Sequence, residues 1–154
     1  MSNTALTAST NSTTELNQDV VALIDHAKHR AATAINAELT LLYWHVGQRI
    51  RQDILGNERA DYGKQIIQGL SNVLTAQFGQ GWSVQQLRHC VKFAEVFTDT
   101  NILSALRREL NWTHFKALIY INDPIKREFY STMTIQERWS TRTLDERIGS
   151  LLFE

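Results

Sequence analysis

The sequence predicts an all-α fold: one long N-terminal helix followed by a helix-turn-helix-like bundle of shorter helices. Three observations carry that expectation. Apolar residues recur at steps of three or four along most of the chain, the period of an amphipathic helix. No run alternates with the period of two that a half-buried strand requires. Capping-box patterns at Ser83–Gln86 and Thr134–Glu137 mark helix starts.

The 154 residues, 43% of them hydrophobic and 21% charged, lie near the globular average, which argues against wholesale disorder. A chain of this length buries about 68–70% of its unfolded surface, so it needs no disulfide or structural metal, and the single Cys90 permits no intrachain bridge.

Residues 1–14 are rich in Ser, Thr and Asn and carry too little apolar surface to offset the entropy of ordering them. They are expected as a flexible tail ahead of a helical domain over residues 15–154. From Glu15, the stripe Val20, Ile24, Ala27, Ala31, Ile35, Leu39, Leu42, Val46, Ile50 and Ile54 forms one helix that ends near Gly56-Asn57. Such a helix is about 60 Å long, more than a compact domain needs, so part of it is expected to pack on a second chain or to act as a strut.

A second helix is read from Tyr62 to Phe78, broken by Gly79-Gln80-Gly81-Trp82. Ser83 caps a third, running to about Phe97 with Val84, Leu87, Val91, Ala94 and Phe97 as its buried stripe. Short helices follow around Ile102–Leu110 and Thr113–Ile121, then one from Ile125 to about Met133 opened by Pro124. A short helix through Trp139 is expected from the Thr134–Glu137 box, and a last one after Thr141-Arg142-Thr143, carrying Leu144, Ile148, Leu151 and Leu152.

No segment approaches the roughly 20 apolar residues that cross a bilayer, and the first fifteen residues lack the basic start of a secretory signal. A cytoplasmic protein without a membrane role is expected. Asn11-Ser12-Thr13 and Asn111-Trp112-Thr113 are then chance matches to the glycosylation triplet.

With 16 basic and 16 acidic side chains the net charge is zero, so overall charge gives no reason to expect a nucleic-acid partner. Local charge does. Residues 47–108 hold eight basic side chains against five acidic, while the segments on either side carry an acidic excess. Within that segment Gln85, Arg88, His89 and Lys92 stand at i, i+3, i+4 and i+7 on the third helix, sharing the face opposite its apolar stripe. A helix, a Gly-containing turn and a second helix with such a face have the form of a helix-turn-helix, whose second helix enters the major groove of duplex DNA. Arg49, Arg51 and Lys64 are candidate phosphate contacts. A merely solvated helix face is the alternative for the same four residues.

Other constellations carry less. Asp25, His26 and His29 share a helix face but lack a third or fourth ligand at matched spacing, so no metal site is expected. His89 and Cys90 are adjacent on a helix and point about 100° apart, too far for a nucleophile and its base. Trp44, Trp82, Trp112, Phe115, Phe129, Tyr130 and Trp139 are read as core, and no Gly-rich phosphate loop is present. No cofactor and no small-molecule substrate are expected.

Several blocks resemble one family in order and spacing: Tyr43-Trp44-His45-Val46-Gly47-Gln48-Arg49-Ile50, Glu58-Arg59-Ala60-Asp61-Tyr62-Gly63-Lys64, and Phe78-Gly79-Gln80-Gly81-Trp82-Ser83 with Leu87-Arg88. Leu110-Asn111-Trp112-Thr113-His114-Phe115, Arg127-Glu128-Phe129-Tyr130 and Trp139-Ser140-Thr141-Arg142-Thr143-Leu144 continue the match. Over residues 18–154 the chain resembles the N-terminal domain of the YhcG-like proteins. The resemblance implies a bacterial, helical domain thought to bind DNA, which in that family precedes a PD-(D/E)XK nuclease domain. The nuclease motif departs: the chain contains no Asp-x-Lys or Glu-x-Lys, and Asp123-Pro124 has the reverse order. The expectation is an excised or naturally truncated N-terminal module that binds duplex DNA, assembles as a homo-oligomer and has no catalysis of its own. The rival is a dimerisation or partner-docking module using the long first helix, especially Ala27 to Leu42.

Overall fold

The computed structural model describes the backbone of residues 2–57 and 61–150, and the side chains of residues 11–57 and 61–150. Among these residues it is all-α, with seven helices: α1 (Ser2–Leu55), α2 (Tyr62–Phe78), α3 (Val84–Val96), α4 (Thr100–Leu106), α5 (Trp112–Leu118), α6 (Pro124–Glu137) and α7 (Thr141–Gly149). No described helix is long and apolar enough to cross a membrane. Glu58–Ala60 of the second family block, and the Leu151 and Leu152 expected in the last helix, lie outside the described residues.

The chain divides into two units, residues 1–35 and residues 36–154. In the first, the backbone of residues 2–14 continues α1. The physical reason is that propagation from an existing helix adds one hydrogen bond per residue without a new nucleus. Every side chain from Asn11 to Ile35 is exposed.

In the second unit α1 buries Ile50 of the expected stripe and half-buries Val46 and Ile54, but departs from that stripe nearer its start. Leu39 and Leu42 are exposed, whereas Thr40, Trp44, Gly47 and Ile50 are buried. Thr40 resolves its hydroxyl locally by donating to the Asn36 carbonyl at 2.8 Å. Gly47 matters by having no side chain: a Cβ there would lie 1.8 Å from the carbonyl oxygen of Cys90. The backbones of α1 and α3 therefore touch. Around this crossing Trp44 donates its indole N–H to the Phe97 carbonyl at 2.7 Å, and an Arg51 guanidinium N–H approaches the Ala94 carbonyl at 3.5 Å. Both acceptors lie at the C-terminal end of α3, where helix carbonyls lack intrahelical partners.

Helix α3 joins two apolar clusters. Leu87 packs with Ile50 and Ile67 between α1, α2 and α3. Phe93, Ala94 and Phe97 belong to the larger cluster, with Trp44, Phe115, Leu118, Tyr130 and Leu144. The buried face of α3 is thus rotated from the expected stripe toward Cys90 and Phe93, with Val84 and Val91 only half-buried. Phe93 stacks against Phe97, Trp112 and Phe115 at centroid distances of 5.7, 5.3 and 4.9 Å, which is what pulls it inward.

Helix ends follow side-chain chemistry. Asp99 caps α4 by accepting from the Asn101 and Ile102 amides, and Ser140 caps α7 by accepting from Thr143. Asp123 caps α6, with Pro124 in its first turn. Asn111 and His114 form a reciprocal capping box on α5. His114 is buried. Its Nδ1 accepts from the Asn111 amide at 3.2 Å, so its Nε2 is the nitrogen that donates to the Trp139 carbonyl, at 2.8 Å. Burial lowers the His114 pKa and keeps that neutral tautomer. The short separate helix expected from Thr134–Glu137 does not form. Thr134 donates its hydroxyl back to the Tyr130 carbonyl at 2.6 Å inside a continuous α6, which stops only at Arg138 with φ 52°.

Two glycines make the α1–α3 contact testable with opposite signs. Gly69→Ala on α2, where an added Cβ meets nothing within 4 Å, should stabilise the fold by about 1 kcal/mol through helix propensity. Gly47→Ala should instead cost about 3 kcal/mol or more, because the two backbones must separate. Urea unfolding of both variants reads the contrast.

Candidate nucleic-acid interface

The turn between α2 and α3 is built by glycine. Gly79 and Gly81 have φ of 82° and 113°, conformations that residues with a Cβ rarely adopt. Ser71 on α2 donates its hydroxyl to the Trp82 carbonyl at 2.8 Å, and the Tyr43 ring of α1 meets Trp82 edge-on at 5.8 Å, so the turn is anchored on both sides. Ser83 then accepts from the Gln86 amide at 3.1 Å and starts α3. The Gln86 side chain does not complete the box: its carbonyl oxygen accepts from the Trp112 indole at 3.4 Å, tying the start of α3 to α5.

Gly47 of α1 lies against the Cys90 backbone, and Leu87, Cys90, Phe93 and Ala94 are buried. That orientation turns Gln85 and Arg88 outward, exposed, with Lys92 half-buried beside them. Glu95, one turn further and also exposed, sets an acid at the end of the same face. Burial pushes the Cys90 thiol up to about 12, so it stays protonated and inert at neutral pH.

His89 is drawn sideways. Its Nδ1 lies 2.6 Å from the Tyr120 hydroxyl, and the two rings meet edge-to-face at 5.5 Å. Burial lowers the His89 pKa and the Lys116 charge lowers it further, so the neutral ring is favoured and its tautomer sets which partner donates. Of the four residues that spacing brings together, Gln85 and Arg88 are exposed and His89 and Lys92 half-buried, with His89 engaged by Tyr120 and Lys116 close enough to act on its charge. Spacing gave no route to Lys116 and Tyr120, because Tyr120 is 31 residues from His89 and meets it only through the packing of α5 on α3.

The three candidate phosphate contacts separate. Arg51 is half-buried and directed at the C-terminus of α3. Arg49 is largely exposed on α1, 3.9 Å from Asp53, whose other oxygen accepts from the Tyr62 hydroxyl at 2.8 Å. Lys64 is exposed in the first turn of α2. Arg51 thus meets α3 at the Ala94 carbonyl, and Arg49 stands beside Asp53 on α1. Asp25, His26 and His29 are exposed on α1, and among the described residues no three metal-ligating side chains gather.

Residues 19–154 match the family model described as the DUF1016 N-terminal domain. The chain belongs to that family. This DUF1016 N-terminal domain is also 25% identical over 170 residues to the Escherichia coli (strain K12) protein named "Putative nuclease YhcG", in a match covering 91% of the chain and 45% of that protein. The chain thus spans less than half the length of this relative. No solved structure matches the DUF1016 N-terminal domain of this chain.

The His89 environment predicts its titration. In an NMR pH titration the His89 ring should titrate below 6.5, and Lys116→Ala should raise its midpoint toward that value. A midpoint at or above 6.5 in the unmodified chain would contradict the half-buried ring beside Lys116.

Proposed function

We propose that this chain is the DNA-binding module of a nuclease of the YhcG kind, that it binds duplex DNA through the exposed face of α3, and that it has no catalysis of its own. The observation that carries the reading is the capped helix α3, set behind a two-glycine turn and held from behind by α1, with Gln85, Arg88 and Lys92 outward and Lys116 alongside. Side chains of these types suit the two parts of DNA recognition. Arg and Lys contact phosphates and guanine edges, while Gln pairs with adenine. The name of the relative, a nuclease, supports a nucleic-acid partner. The reading implies a cytoplasmic location and needs no cofactor or small-molecule substrate. Arg49 and Lys64 remain outlying phosphate contacts at most, and Arg51 serves the fold.

A second reading, association through the first helix, is favoured by the apolar side chains exposed between Leu16 and Ile35.

Fluorescence anisotropy with random duplex DNA tests the first reading. Affinity should fall as salt rises, and Arg88→Ala or Lys92→Ala should weaken binding and each reduce the log–log salt slope by about 1, with circular dichroism unchanged. Arg142→Ala, on α7, should leave binding as it was. Binding that is flat in salt, or equally weakened by Arg142→Ala, would overturn the reading.

The absence of catalysis is tested separately with supercoiled plasmid and magnesium or manganese. No nicking is expected, because the sequence assembles no carboxylate cluster with a lysine at the nuclease offset. Nicking that co-purifies with the chain and disappears when Asp53, Asp123 or Glu128 is changed to Ala would restore an enzymatic role.

A further inference from the structure

Residues 11–35 form helix with no buried side chain, yet Leu16 is 60% exposed, Val20 43% and Ile35 59%. At about 100° per residue, Leu16, Val20, Ile24, Ala27, Ala31 and Ile35 fall within a sector of about 100°, a stripe of the width that packs on another helix. A long helix that buries nothing is marginal in water, so a partner for this stripe is physically favoured.

Charge identifies the partner. The first half of this stretch carries Glu15, Asp19 and Asp25, and the second half carries Lys28 and Arg30. Two copies side by side in parallel would set acid on acid and base on base. Reversed, each acidic half meets a basic half. Asp19 and Arg30 lie on the same flank of the stripe, and in an antiparallel two-fold pair a flank faces its own copy. Each Asp19 then faces Arg30 of the second copy across a midpoint at Ile24-Asp25. The same midpoint sets Leu16 beside Ala31 and Ala34 and Val20 between Ala27 and Ala31 of the second copy, large side chains against small ones.

We infer that residues 16–35 of α1 pair antiparallel with a second copy of this chain. The inference rests on the association reading and is independent of the DNA reading.

Sedimentation velocity on the whole chain at micromolar concentrations should show a dimer. Ile24→Glu, which sets two like charges at the midpoint, should weaken it at least about tenfold, the equivalent of about 1.4 kcal/mol. Asp19→Arg should weaken the dimer at low salt, and Asp19→Arg with Arg30→Asp should restore it. Orientation is read by disulfide cross-linking, for which the buried Cys90 is out of reach. An Ile24→Cys chain should link to its partner and a Leu16→Cys chain should not. A monomer at every concentration would overturn both association and orientation. Linking of both variants would keep association but overturn the antiparallel arrangement. A dimer in which neither links would move the contact away from this stripe and overturn the inference as well.

Discussion

The contact on which the second unit depends is the crossing of α1 and α3 at Gly47 and Cys90. Helix backbones normally stand apart by the length of their side chains, and here a missing Cβ lets one helix rest on the carbonyl of the other. This close approach brings Trp44 within reach of the Phe97 carbonyl and Arg51 toward that of Ala94, so α1 also satisfies the open end of α3. Two apolar clusters then form on either side of the crossing, one with α2 and one with α5 to α7. Neither cluster involves the Gln85–Arg88 face, which is left to solvent.

The second consequence concerns the short helices. Helices α4 and α5 have seven residues each, too few to persist alone. Asp99 holds one and the Asn111–His114 box the other, while Phe115 and Leu118 drive α5 into the core beside Phe93. Only because α5 is fixed there does the chain after it deliver Tyr120 to His89. His89, on the outward face by spacing, becomes the anchor of the segment after α5, and Lys116 of α5 comes close enough to act on its charge.

Charge is distributed unevenly along this neutral chain. The basic side chains of residues 47–108 do not act as one patch: Arg51 is turned to the fold, Arg49 stands near Asp53 on α1, and Glu95 offsets the end of the α3 face. On α3 itself Arg88 stands outward and Lys92 is half-buried, with Lys116 near His89, while Arg49, Lys64 and Arg108 are exposed elsewhere on the chain. Under the proposed reading, a face with so few cations would make weak, salt-sensitive contact with phosphates.

The sequence by itself determined what depends on neighbours along the chain. The all-α class, the limits of α2, the cap at Ser83 and the helix-breaking role of the two turn glycines follow from period, capping and backbone freedom. The shared face of Gln85, Arg88 and Lys92 follows from the pitch of one helix, since no other element is needed to define it. Tertiary structure decided everything that depends on which helix rests on which. It chose Thr40 over Leu39 and Leu42 for the buried side of α1, because the crossing at Gly47 sets that helix's rotation. It drew Phe93 inward because three other rings were waiting there, and it kept Thr134 inside α6 because its hydroxyl found the Tyr130 carbonyl before it could cap a new helix. Lys116 and Tyr120 were out of reach for the same reason: a contact between residues 31 apart has no period, and it exists only once α5 has packed on α3.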